Sequence, residues 1–112
     1  MEINKGQIEI STLLLQTITS ICVSDIDGIK QIAPRLLGKV YSLWQQEQRQ
    51  AAIIQLEKEH LVKIDVFIAV AFHTSIPDVC IKLQQHIKNE IEVMTGYEVK
   101  SVRVFVGEVY RK

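Results

Sequence analysis

At 112 residues, with 47% hydrophobic and 23% charged side chains, the chain has the composition of one globular domain able to bury a core without disulfides. Thirteen basic residues balance thirteen acidic ones, which argues against nucleic acid, an anionic membrane or a charged substrate as partner and permits self-association. The start Met1-Glu2-Ile3-Asn4-Lys5 lacks the basic and apolar blocks of a secretion signal, and no apolar run reaches the ~18 residues of a membrane span, so a cytoplasmic protein without direct membrane insertion is expected.

Gly6 to Ile10 reads as a short strand with Ile8 and Ile10 on one face. Ser11 is placed to cap a helix from Thr12 to about Ser24, whose apolar stripe is Leu14, Leu15, Ile18, Ile21 and Cys22. Asp27-Gly28 is a turn signal, and Ile29 to Ile32 forms a second short strand. Pro34 suits the first turn of another helix, with Leu36, Leu37, Val40, Tyr41, Leu43 and Trp44 giving it an apolar side before the polar run that ends at Gln50. Whether this segment, Pro34 to Gln50, is a core helix or an interaction element stays open.

Ala52, Ile54 and Leu56 begin a strand, and Glu57 to His60 make a polar turn. Val62, Ile64, Val66, Ile68, Val70 and Phe72 then alternate without a break, the longest strand of the chain. Ser75 and Asp78 form a capping-box-like start for a helix with the stripe Ile76, Val79, Cys80, Leu83, Ile87, Ile91 and Met94, which Gly96 stops in a left-handed turn. Val102, Val104 and Val106 alternate with Arg103 and Phe105 in the last strand.

The predicted fold is thus α/β (α+β) in two layers, a single domain over residues 1–112 with the order β-α-β-(α)-β-β-α-β. The strands at Ala52 and Val62 form an antiparallel hairpin. The long helix carries the chain back so that the strands at Val62 and Val102 run parallel, through a right-handed crossover. That helix covers the valine face of the mixed sheet. The other face carries Lys63, Asp65, Phe67, Ala69 and Ala71 on one strand and Ser101, Arg103 and Phe105 on its neighbour. Phenylalanines beside small alanines do not make an ordinary solvated face, so Phe67, Ala69, Ala71, Arg103 and Phe105 are the candidate interaction surface. Either the Pro34 helix covers it or another chain does.

Reactive groups are few. Cys80 and His86 stand about 240° apart around one helix and do not meet. His73 is nearer along the chain, but Cys80 falls within the apolar stripe, where a thiol is inert packing. Neither C-x-x-C nor H-x-x-x-H spacing occurs, so no metal site is expected. Asp25 and Asp27 flank Ile26 just before Gly28, where aspartates serve turns. The isolated glycines build no phosphate loop, and no cofactor or catalytic residue is assigned. A KH-type G-x-x-G loop is missing, and Phe67, Phe105, Lys63 and Arg103 are a thin version of an RNA-binding sheet.

Gly6-x-Ile8-x-Ile10-Ser11, then Asp27-Gly28-Ile29, then Ile76-Pro77-x-Val79, Leu83-Gln84, Met94-Thr95-Gly96-Tyr97-x-Val99 and Val102-x-Val104-x-Val106 together resemble the alkaline shock protein family, bacterial stress-associated proteins, over nearly the whole chain. The family commonly has Gly where this chain has His73, and Asn where it has Arg103. The segment from Pro34 to Gln50 is not a family signature. The resemblance implies a non-enzymatic cytoplasmic protein of the envelope-stress response and lipid homeostasis. Such a protein self-associates as a homo-oligomer, and some members are held at the membrane by a membrane-spanning anchor protein. A regulatory module for a lipid-synthesis enzyme is the alternative, with an RNA-binding module behind it.

Overall fold

The computed structural model describes residues 9–32 and 52–111. They form, in chain order, α1 (Thr12–Ser24), β1 (Ile29–Gln31), β2 (Ala52–Lys58), β3 (Leu61–Ala71), α2 (Ile76–Thr95) and β4 (Glu98–Tyr110). The expected helix at residues 34–50 and most of the expected first strand lie outside the described residues. Ile10, which is described, is not in a strand, and its N–H donates to Tyr97 Oη at 3.3 Å.

β3 is the spine of the sheet. Its inward residues Val62, Ile64, Val66, Ile68 and Val70 are all buried, which a strand covered by helices on one face requires. β2 lies antiparallel along its first half, from Ala52 opposite Val66 to Leu56 opposite Val62, and β1 antiparallel along its last residues, Ile29 opposite Val70. Both flank the same edge, end to end. β4 runs parallel to β3 along the other edge, from Leu61 opposite Glu98 to Ala71 opposite Tyr110. The hairpin turn is tighter than the four polar residues suggested. β2 extends through Lys58, leaving Glu59 and His60 as the turn, with His60 at φ 67°.

Two helices form the second layer. Ser11 Oγ accepts the Leu14 N–H at 3.1 Å and starts α1. Its buried arc is Leu15, Ile18, Thr19, Cys22 and Val23, so the expected stripe is rotated: Leu14 and Ile21 are exposed. α1 touches β1, β2 and α2 together, which brings Thr19 inside, its hydroxyl satisfied by Leu15 O at 2.9 Å. In α2 the middle of the stripe, Leu83, Ile87 and Ile91, is fully buried, while its ends Ile76 and Met94 are exposed. Ser75 is the N-cap by position, but its side chain caps nothing. Pro77, at the second helical position, has no N–H and removes one of the two donors a cap would serve. Gly96 ends α2 at φ 79°, its N–H returning to Glu92 O at 3.0 Å, the left-handed stop that glycine adopts without strain.

Candidate interaction surface

The sheet face away from the helices is built in rungs, each set by strand register. At the β2–β3 turn end, Glu57 reaches Lys100 at 3.1 Å and Lys63 at 3.8 Å. The Lys100 hydrogen bond is the main cause holding the Glu57 carboxyl below its usual range. The next rung sets Ile53 beside Asp65 and Asp65 beside Arg103. Arg103 grips Asp65 through two bonds, Nε to Oδ1 and Nη2 to Oδ2, both 2.9 Å. This pairing raises the Arg103 pKa further. A planar fork on a carboxylate fixes both side chains flat on the sheet.

Phe67 and Phe105 face each other one rung on. Their rings stack at 4.9 Å between centroids with planes 15° apart, and the Arg103 guanidinium carbon lies 5.2 Å from the Phe105 ring centre. Rings on neighbouring strands that stack on each other stand upright, so they present edges outward and turn their faces to one another. Phe105 and Ile53 keep 39% and 47% exposure, and Phe67 is half-buried. Among the described residues this half of the face is open.

The far half is closed. Ala69 and Ala71 are buried, which corrects the expectation that they line a contact surface. Lys30 pairs with Ala69 from β1 and Tyr110 with Ala71 from β4. The Lys30 ammonium sits 4.3 Å over the Tyr110 ring. A lysine and a tyrosine meeting from opposite neighbours roof the alanines between them. Ile32 leans across the same half: a Cβ on Gly107 would stand 2.9 Å from its Cδ1.

Of the five expected surface residues, Phe67, Arg103 and Phe105 come together, and Ala69 and Ala71 become floor. Ile53, Lys30 and Tyr110 were missed. Ile53 could have been found from its alternation against Ala52 and Ile54. Tyr110 was hidden because the chain slips by a residue at Gly107, between the pairs Ile68–Val106 and Ala69–Glu108, which breaks the period of two.

The groups considered for chemistry are dispersed. Cys80 is half-buried rather than fully buried, and burial pushes its thiol pKa up. Cys22 is buried, and desolvation, followed by the Glu90 and Asp25 carboxylates, pushes it up to about 12. Thiols shifted upward are poor nucleophiles. His86 Nε2 meets Asp25 Oδ2 at 2.9 Å, and the His73 ring packs on Phe72 at 4.4 Å. Phe72, expected on the inward face of the long strand, lies beyond its end and is exposed. Among the described residues no cluster of three or more His, Cys, Asp or Glu could hold a metal ion, and no helix is long and apolar enough to cross a membrane.

The chain is similar to the protein named "Uncharacterized protein YqhY" of Bacillus subtilis, 24% identical over 102 residues, covering 90% of this chain and 75% of that protein. It is also similar to "Uncharacterized protein Spy1535" of Streptococcus pyogenes serotype M6, 20% identical over 101 residues, covering 90% and 77%. No solved structure matches. Residues 1–111 match the family model of the alkaline shock proteins, which is described by a "cell envelope-related function". The chain therefore belongs to the alkaline shock protein family that its glycine, proline and valine motifs resemble.

Proposed function

We propose that this protein is a non-enzymatic contact module of the envelope-stress response and lipid homeostasis, acting through the open half of its outer sheet face. The observation that carries this is the Phe67–Phe105 stack beside the Arg103–Asp65 fork. It joins upright aromatic edges, an exposed isoleucine and a fixed ion pair on one rigid sheet, the mixture typical of a contact patch. The protein works in the cytoplasm, self-associates, and reaches the membrane through a membrane-spanning partner. Regulation of a lipid-synthesis enzyme through the same patch is the alternative. Base stacking is disfavoured, because thirteen basic residues balanced by thirteen acidic ones offer no net field for a phosphate backbone.

Sedimentation and circular dichroism of Phe67→Glu and Phe105→Glu test the reading. Loss of oligomers or of captured partners with the fold intact is expected. Unfolding by either variant would mean the patch is internal, where a buried unpaired carboxylate is costly. Affinity capture of the tagged parent from cells separates a membrane-spanning partner, a metabolic enzyme and nucleic acid.

A further inference from the structure

We infer that the exposed edge of β4 pairs antiparallel with β4 of a second copy of this chain, with Phe105 at the two-fold axis. The inference rests on the reading of the protein as a contact module and names the strand edge that makes one such contact.

The direction of the backbone groups comes first. Phe72 N–H donates to Tyr110 O at 2.7 Å, so Tyr110, whose side chain is on the outer face, turns its groups toward β3. In a parallel ladder the residues that share that face do likewise, and those on the helix face turn theirs away. Val99, Val102, Val104, Val106 and Val109 therefore form the edge that β3 does not use.

The start of that edge is already occupied. Glu92 accepts the Val99 N–H at 2.9 Å, Lys88 donates to Val99 O at 3.2 Å, and Gln84 Nε2 donates to Val102 O at 2.8 Å. Polar side chains of α2 thus blunt the first stretch, a standard protection for an edge strand. From Val104 onward, no side chain among the described residues does this. Val106 and Val109 are exposed there, at 36% and 54%. Among the described residues one strand thus carries both a guarded and an unguarded stretch, and the unguarded one holds its most exposed valines.

Charge and register select the second copy as occupant. With Gly107 as the extra residue of the bulge, antiparallel self-pairing about Phe105 sets Arg103 opposite Glu108 of the other copy. It sets Val104 opposite Val106, and every pair meets on the same face. Val104 and Val106, whose N–H and C=O groups point outward, meet each other on both sides of the axis, so the central pairs close without mismatch, and the ladder ends where Val109 reaches Val102, whose C=O holds Gln84. The Phe67–Phe105 stack becomes half of a row continuous across the axis. A two-fold contact needs this self-complementarity, and Arg103, held on Asp65 through Nε and Nη2, supplies it by turning its remaining nitrogen to Glu108 of the other copy.

Charge exchange tests the pairing. Glu108→Arg alone places arginine against arginine, and Arg103→Glu alone places glutamate against glutamate. Each variant is expected to sediment as a monomer, with a dimer dissociation constant raised on the order of tenfold or more. An equimolar mixture of the two restores both attractive pairs and is expected to give a heterodimer. Val106→Pro removes an outward N–H that β3 does not use, and should abolish the dimer with an unchanged circular dichroism spectrum. A parent that stays monomeric at high concentration, or a mixture that fails to pair, overturns the inference. The outcomes separate from those of the contact-face reading: dissociation by Phe67→Glu without any response to charge exchange leaves that reading standing and removes the edge pairing.

Discussion

Glu92 Oε2 accepts the Val99 N–H at 2.9 Å and the Lys88 ammonium at 2.8 Å. One carboxylate thereby ties the last turns of α2 to the start of β4 across the Gly96 stop. The Lys88 hydrogen bond, and after it the Val99 N–H, hold the Glu92 pKa below its ordinary value of 4.5. A folded pKa below the unfolded one means stabilisation that is present above the unfolded value and lost as pH falls through the folded one. Denaturant unfolding of Glu92→Gln should therefore show a smaller loss of stability between about pH 6 and pH 3 than the parent. The slope is reduced and not removed, because Glu57 is depressed in the same direction by Lys100. An identical acid profile in parent and variant would deny Glu92 this role.

Gly96 carries a separate, conformational contribution. At φ 79°, a Cβ placed on it would meet nothing within 4 Å, so a Cβ there has room and the cost of substitution is expected from backbone strain. Gly96→Val should destabilise by about 1 kcal/mol or more, because a β-branched residue is poorly tolerated in that region. Gly28 differs: at φ 91° its Cβ would also stand 3.1 Å from Thr74 Oγ1. Thermal melts decide the matter, and a Gly96→Val protein that melts with the parent would remove the left-handed stop from the account.

His73 holds φ 73° between β3 and α2, at the position where the resemblance leads one to expect glycine. A non-glycine residue in this conformation costs about 1–2 kcal/mol, and glycine's extra freedom in the unfolded chain returns about 0.4–1 kcal/mol of that. His73→Gly also forfeits the ring contact with Phe72. The informative comparison is with His73→Ala, which loses the ring and keeps the strain. Glycine should exceed alanine in stability by about 0.5–1 kcal/mol, and equal stabilities would show that the backbone there is relaxed in either case.

The features legible in the sequence are those set by near neighbours. Ser11 three residues before Leu14, Gly96 after an apolar stripe, and the Val62–Val70 alternation each state their own geometry. Alternation put Asp65, Phe67, Arg103 and Phe105 on one face, but the register that sets Asp65 beside Arg103 and Phe67 beside Phe105 passes through a slip between Val62 and Lys63 that alternation does not contain. What stayed hidden depends on residues distant in the chain. Ala69 and Ala71 lie beneath a contact that Lys30 and Tyr110 make from the two neighbouring strands. Tyr110 and Glu108 reach the outer face only through the slip at Gly107. The α1 stripe turned because that helix touches β1, β2 and α2 together, a condition its own periodicity does not contain.

The two thiols should separate cleanly in native labelling. Cys22 is 1% exposed, its Sγ 3.9 Å from His86 O, and burial pushes its pKa up to about 12. Cys80 is half-buried and shifted upward by desolvation alone. Since the thiolate is the reacting form, both should label more slowly than in the unfolded chain at about pH 8, with Cys80 modified first. Cys22 sits in the core contact between α1 and α2, so its labelling should wait on opening of that contact and accelerate with denaturant as global unfolding does. Peptide mass spectrometry over a labelling time course distinguishes the two sites. Cys22 reacting as fast as Cys80 in native buffer would mean that α1 lifts from the sheet independently of the rest of the core.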